Sequence, residues 1–354
     1  HYGMQSNLLL RRILSLLTID GSKGEGGGQV FRSSLALSMV TGTPVRIEKV
    51  RAGRKRPGLM RQHLTALRAA AHISGAKVEG DAIGSTADSS TPGAIVPGAH
   101  RFAVGTAGSA TLVLQTILPA LLTADAPSEV ALEAGTHNPF APPFDFLQQA
   151  YMPQVNKMGP AVEVELKRPG FFPAGGGRFT ACITPAKKLT PIDLPERGEL
   201  VSRHARAVVA HLPGEIAKRE LKKVRSKLGW AEDECQIEQA DHSQGPGNAL
   251  MLSLAYEHVT EVFTSFGEVG RPAEAVANHA IQQCQRYLKN DAAAGEYLTD
   301  QLMLPLALAG GGSFTSTGLS RHATTHMELI EQFLDVRIEA VTEDRGRHRV
   351  VVTR

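Results

Sequence analysis

Two stretches of this 354-residue chain carry side chains whose types and spacing could do chemistry, and they lie at opposite ends of the sequence. The first runs GSKGEGGGQVFRSS from Gly21 and is followed by VRAGRKRPGLMRQH from Val50. Glycine lets the backbone approach a ligand closely. A helix opening straight after such a loop offers its first N–H groups to an anion. Arg32, Arg51, Arg54 and Arg56 add fork-shaped donors suited to phosphate. Arg51, Arg54, Lys55 and Arg56 crowd one short loop, and like charges so placed repel unless an anion sits among them. Phosphate handling is the expectation. The loop is no Walker A motif, because no Gly-Lys-Ser/Thr ends it. It is no dinucleotide fingerprint either, since Gln29 stands where the last glycine belongs. Glycine content alone leaves a tight structural turn as open as a ligand loop.

The second stretch is RHATTH, residues 321–326. His322 and His326 are four apart and share a face of any helix. Ala323 replaces the glutamate of a zinc-protease HExxH motif, which removes that chemistry. A histidine at a helix start can be a cap or a core residue. It can also be a nucleophile, because neutral imidazole attacks phosphorus well. Between the two stretches lies EYLTDQLMLP, residues 296–305, where Tyr297 offers a stacking face and Asp300 and Gln301 offer an acceptor and an amide suited to a purine edge. An ordinary amphipathic helix explains the same pattern.

Elements must hold these groups in place. Leu16–Asp20 and Pro44–Val50 read as strands around a helix Gln29–Thr41 that Gly42 stops. Gly58–Ser74 reads as a second helix. FAVGTAGSATLVLQTILPAL repeats the order strand, glycine turn, apolar helix, and a third block spans residues 135–183, with a helix near Phe144–Met158. An internally repeated α/β unit is expected. Residues 185–195, PAKKLTPIDLP, mark a boundary. Beyond it, Gly198–His211 and Ala249–Phe266 read as strands and Leu212–Leu228 and Ala273–Lys289 as helices. The chain then resumes at Ala292–Gly311 and ends in a helix, His322–Phe333, and two strands, Arg337–Thr342 and His348–Thr353. The expected division is an N-terminal extension over 1–15, in part of cloning origin, a large domain over 16–190 and 290–354, and a smaller inserted domain over 191–289.

Composition bounds the partners. A net charge of +3 gives no polybasic coat, so nucleic-acid contact must come from a local patch such as residues 46–61. The cysteines Cys182, Cys235 and Cys284 have no zinc spacing and are expected to be reduced thiols of a cytoplasmic protein. Neither Leu8–Leu17 nor the apolar run Ala110–Leu122 reads as a signal peptide or a membrane span.

Taken together the motifs resemble the RNA 3′-terminal phosphate cyclase family. GEGGGQ with Arg32 three residues on, RAGRxxPGLxRQH, GTAGSATLVLQT, NPxAPP, FxPxGGG, SQGPGN, GEYLxDQL and the late His322 occur in order from about residue 16 to the C-terminal region. Single motifs are weak; the ordered set is specific. The resemblance implies an α/β (α+β) fold, with a large domain of three repeated βαβαββ-like units and a smaller α/β domain inserted in the third. It implies an ATP-dependent enzyme. A histidine attacks the α-phosphate of ATP, AMP passes to an RNA 3′-phosphate, and the vicinal 2′-OH displaces AMP to leave a 2′,3′-cyclic phosphate.

By position, His322 matches the nucleophile. Tyr297 and Pro142 match the residues flanking adenine. Gln115 and Leu298, Thr299, Asp300 and Gln301 match nucleotide contacts. Glu25 matches an acid that holds a divalent metal, Mg or Mn. Gln29, Arg32, Arg51, Arg54, Gln62 and His63 match groups around the phosphates. The implied partners are ATP and an RNA ending in a 3′-phosphate, with functional coupling to an RNA ligase and no membrane. The run Phe263–Glu268 lacks the adjacent aromatics of bacterial members, and His326 stands where relatives carry Asn. Two rivals are a non-catalytic cyclase-like ribosome-assembly factor, which lacks the nucleophile, and an enolpyruvyl-type transferase, which needs neither His322 nor ATP.

Overall fold

The structure is a computed structural model that describes residues 15–24 and 26–354. The expected extension, apart from Ser15, and Glu25 lie outside the described residues. The chain opens with β1 (Leu17–Asp20), α1 (Gly28–Thr41), β2 (Val45–Glu48), α2 (Arg61–Ser74), β3 (Lys77–Glu79) and β4 (Asp88–Thr91). Next come β5 (Ala99–Ala103), α3 (Ala110–Leu121) and β6 (Ser128–Ala134). Then α4 (Phe144–Phe146) runs through a π-helical turn, Leu147–Tyr151, into α5 (Met152–Lys157), before β7 (Ala161–Arg168) and β8 (Gly177–Thr184). After β9 (Asp193–Leu194) follow β10 (Leu200–Ala210), α6 (Glu215–Leu228), β11 (Cys235–Gln239), β12 (Gly247–Tyr256), β13 (Thr260–Phe266) and α7 (Ala273–Leu288). The chain finishes with α8 (Glu296–Ala309), β14 (Gly312–Ser316), α9 (Arg321–Phe333), β15 (Arg337–Thr342) and β16 (His348–Thr353).

The fold is mixed α/β. Three four-stranded sheets have the orders β1-β2-β4-β3, β5-β6-β8-β7 and β9-β14-β16-β15. In each, the first pair is parallel and the other two are antiparallel. The parallel pair needs a crossover, which a helix supplies in each case. The fourth sheet, β11-β10-β12-β13, lies between β9 and α8 in sequence.

Sequence pattern explains where the helices sit. α3 is apolar almost all round and buried almost all round, because α1 and α2 both pack on it. α1 buries Phe31, Leu35 and Leu37 and ends where Gly42 takes φ 71°, a left-handed conformation that glycine adopts without strain. α9 lies across α1 and also against α8, so the helix that carries His322 packs on the helix that follows the glycine loop.

Two expectations need correction. The second helix begins at Arg61, not Gly58, because Gly58 has φ 80° and its carbonyl accepts from Arg51. Asp193–Leu194, expected to open the insert, pairs with Ser313–Phe314 of β14 and so belongs to the third sheet.

In the fourth sheet the central strand β12 and the end of β10 are buried, which is why ALMLSLA and AVVA read as nearly continuous apolar runs, whereas the edge strand β11, CQIEQ, is polar and largely exposed. Ala205, Ala207 and Val209 face a separate core with α6 and α7, closed by Trp230, Phe263 and Tyr287. Val208, Ala210, Met251 and Val262 face the main core. Arg206, on the same face as Val208, bonds Asp145 of α4 and Glu238 of β11. Asp145 also bonds the buried His137 at 2.8 Å. No helix among the described residues is long and apolar enough to cross a membrane.

Candidate active site

Ser320 starts the site. Its hydroxyl caps α9 by accepting from the Ala323 N–H at 2.9 Å, and it donates to Asp300 Oδ1 at 2.8 Å. This fixes the first turn of α9, where His322 stands half-buried. His322 Nδ1 lies 3.1 Å from Gln29 Oε1 at the start of α1. A carbonyl oxygen can only accept, so this contact puts the ring proton on Nδ1 and the lone pair on Nε2. Burial, then the charges of Arg54 and Arg32, hold His322 below the ordinary histidine range, with Glu296 opposing.

His326, one turn on, is a structural pin. Its Nδ1 donates to the Asp300 carbonyl at 3.1 Å and its Nε2 accepts from Ser33 Oγ at 3.0 Å. It is 5% exposed, and burial pushes its pKa down to about 4. Nothing in the sequence distinguished this role. Ser320, just before an apolar-periodic helix, carries a capping signal in the sequence, whereas Ser33, inside α1, carries none.

The glycine loop lies against this helix. An added Cβ at Gly24 would collide with Thr325, and Gly24 has φ 60°. At Gly28 a Cβ would lie 2.6 Å from both Arg32 Nη1 and His63 Nε2, so the helix start, an arginine and an imidazole converge on space that only glycine leaves open. The N-cap of α1 is Gly27, which has no side chain to cap the first turn, so among the described residues those N–H groups are offered to an anion. Arg32 is pushed down to about 10 by burial and by Arg51, and stays cationic at neutral pH. His63 is pushed down to about 3 by burial and the charges of Arg32 and Arg51, so it enters the site as a neutral ring. Its share of any phosphate contact is a hydrogen bond, not a charge.

Arg51 departs from the expectation that it faces a phosphate outright. It is 9% exposed, has φ 55°, and gives Nη1 to the carbonyls of Arg56 and Gly58, both at 2.8 Å. It closes the 51–58 loop and so presents the exposed Arg54. Gln62 likewise positions its neighbours, because its Oε1 accepts from the Ser109 N–H at 2.7 Å and steadies the start of α3.

A second cluster spans α3 and α8. Gln115 donates to Gln301, and one turn before Gln115, Thr111 donates to the Pro142 carbonyl at 2.7 Å. Tyr297 is one turn before Gln301 and 57% exposed, so its ring is available for stacking. Leu298 is fully buried in the core and Thr299 gives its hydroxyl to Ser316 at 2.6 Å. Both hold the helix and present no side chain to a ligand. Asp300 is 8% exposed; burial raises it to about 7, with the Ser320 bond opposing. Its Oδ1 holds the cap of α9, which joins the two clusters.

Among the described residues no three His, Cys, Asp or Glu side chains gather as a metal site. Glu25, expected to hold the metal, is outside them.

The comparisons agree on one family. A family model described as RNA 3′-terminal phosphate cyclase matches residues 23–340. A Koribacter versatilis protein named RNA 3′-terminal phosphate cyclase is 52% identical over 340 residues, covering 96% of each chain. A Pseudomonas aeruginosa protein of the same name is 51% identical over 338 residues, covering 96% of this chain and 98% of its own. A Ralstonia nicotianae protein of that name is 52% identical over 328 residues, with 92% and 94% covered. A polarised histidine beside a glycine-arginine cradle, and similarity along nearly the whole chain, lead to one conclusion: this chain belongs to the RNA 3′-terminal phosphate cyclase family.

Proposed function

We propose that this protein uses ATP to convert an RNA 3′-terminal phosphate into a 2′,3′-cyclic phosphate through a covalent histidine–AMP adduct. The observation that carries the reading is the contact between His322 Nδ1 and Gln29, with the charges of Arg32 and Arg54 acting on the same ring. His322 is kept neutral and its Nε2 lone pair attacks the α-phosphorus of ATP. The N–P bond forms as the bond to pyrophosphate breaks. An oxygen of the RNA 3′-phosphate then displaces the imidazole, taking AMP. Finally the 2′-OH attacks the same RNA phosphorus, AMP leaves, and the hydroxyl proton passes to solvent. Arg32, Arg54 and the N–H groups opening α1 stabilise charge on the phosphates. Tyr297 and Pro142 flank the adenine, and Gln115 and Gln301 border it. Glu25 would hold Mg or Mn, which would draw charge off the phosphates.

The sheet orders support a reading in which three copies of one βαβαββ unit build the large domain. In it, the insert runs from just after β9 to just before α8. Cys182, Cys235 and Cys284 are free thiols, which suits a cytoplasmic setting.

The test is incubation with α-labelled ATP and Mg or Mn. Acid-labile label on the wild type, absent from His322→Ala, is expected. No adduct with either metal overturns the reading.

A further inference from the structure

On the outer side of the inserted sheet, α6 and α7 pack together and leave a groove of about 330 Å³. Lys223 and Lys227 line one wall, four residues apart and so on one face. Asn278, Gln282 and Gln285 line the other at helical spacing, with the buried Ile281 beneath. One turn before Lys223, Arg219 bonds Glu274 at 2.6 Å and ties the two helices together at one end. That pair consumes its own charges. Neither groove lysine has an ion pair within 4.0 Å among the described residues, and the three amides have no hydrogen bond there.

The run Lys218–Lys227 holds six cations in a chain whose net charge is +3; Lys218, Arg219 and Arg225 pair with Glu215, Glu274 and Glu232, which leaves Lys222, Lys223 and Lys227 without an ion pair among the described residues. Its one acid, Glu220, is buried and raised to about 7 by that burial. The groove thus offers ammonium groups on one side and amides on the other. Such a pairing suits a polyanion with hydroxyls. RNA supplies phosphates for the lysines and 2′-hydroxyls, which both donate and accept, for the amides.

Resting on the RNA-substrate reading above, we infer that this groove holds the phosphodiester backbone upstream of the 3′ end. The insert is a second RNA-binding element that sets preference for longer substrates.

The experiment uses the full chain and 3′-phosphorylated oligoribonucleotides from a dinucleotide upwards. KM for the wild type should fall with length and then level. In the Lys223→Ala/Lys227→Ala variant that fall should vanish. KM for the longest RNA should rise about tenfold and the salt slope should drop by about 1.4, for two lost phosphate contacts. Turnover of the dinucleotide, and adenylylation without RNA, should be unchanged. Lys223→Arg/Lys227→Arg should keep the length effect. Unchanged KM and salt slope at every length overturn the proposal, and would leave the groove to an acidic protein. Equal losses on the dinucleotide and on long RNA also overturn it, since the groove would then act through the fold. Failure of the wild type to adenylylate or to cyclise the dinucleotide would instead fault the proposed function.

Discussion

The hydrogen bond between His322 and Gln29 bears directly on which nitrogen of the ring can react. Gln29 Oε1 accepts the Nδ1 proton, and that choice of tautomer exposes the Nε2 lone pair to an electrophile. Gln29→Ala should slow adduct formation by about 10- to 100-fold, less than the loss of a buried carboxylate costs in a hydrolase triad. Stability should hardly change. Gln29→Glu keeps an acceptor but adds a charge that favours the imidazolium. Because His322 sits below the ordinary range, the acid limb of adenylylation should fall below pH about 6.5 in the wild type. It should move up in Gln29→Glu. A pH–rate profile of adduct formation checks both; superposable limbs would show that Gln29 does not polarise the ring.

The helix α9 is the element that converts these contacts into a fixed geometry. Ser320 caps it, and Asp300 holds the cap. At an ordinary N-cap, Asp and Asn serve as well as Ser, and Ala costs about 1 kcal/mol. Here Asp would face Asp300 across a hydrogen bond. Ser320→Asn should therefore melt within a few degrees of the wild type, while Ser320→Asp should melt well below Ser320→Ala at pH 8 and recover as the pH is lowered. Thermal melts of the three variants decide it. The helices themselves were legible in the sequence. Gly42, the apolar stripe of α1, the apolar run Ala110–Leu121 and both late elements Arg321–Phe333 and Arg337–Thr342 carry local signals that packing did not override. Legibility ended where long-range pairing decides. Two residues, Asp193 and Leu194, form a strand only because β14 lies beside them. The run Ala249–Phe266 is two strands because residues 257–259 turn it back on itself. In the site, types and order marked His322, Gln29 and the arginines. They could not show that Gln62 Oε1 and Asp300 Oδ1 also bond the start of α3 and the cap of α9, since those bonds depend on segments brought together from distant sequence.

Across the whole molecule, folding buries several groups in their uncharged form and moves their pKa values away from those in water. Asp88 is 1% exposed, neither of its oxygens has a hydrogen-bond partner, and burial raises it to about 7, with Arg46 opposing. Glu220 and Asp300 are raised to about 7 and Glu261 to about 8, each by burial. His63 and His326 are lowered to about 3 and 4. The two sets act in opposite senses. A lowered histidine means the unfolded chain binds the extra proton, so stability rises with pH and that gain is complete above the unfolded pKa, about 6.5. A raised acid means the native chain keeps a proton the unfolded chain has lost. Stability then falls as pH climbs from the unfolded carboxylate range toward 7 or 8. Above pH about 6.5 only the acids still count, so stability should decline from there to pH about 8. Asp88 is the cleanest probe, because neither of its oxygens has a hydrogen-bond partner among the described residues. Asp88→Asn keeps the shape and removes the proton, and should flatten the decline by roughly 0.8 kcal/mol in total between pH 6.5 and 8.5, most of it below pH 7.5. Urea melts of both proteins at pH 6.5, 7.5 and 8.5 measure it. Parallel slopes would mean that Asp88 is already ionised in the fold, held so by a group near Arg46 and β4.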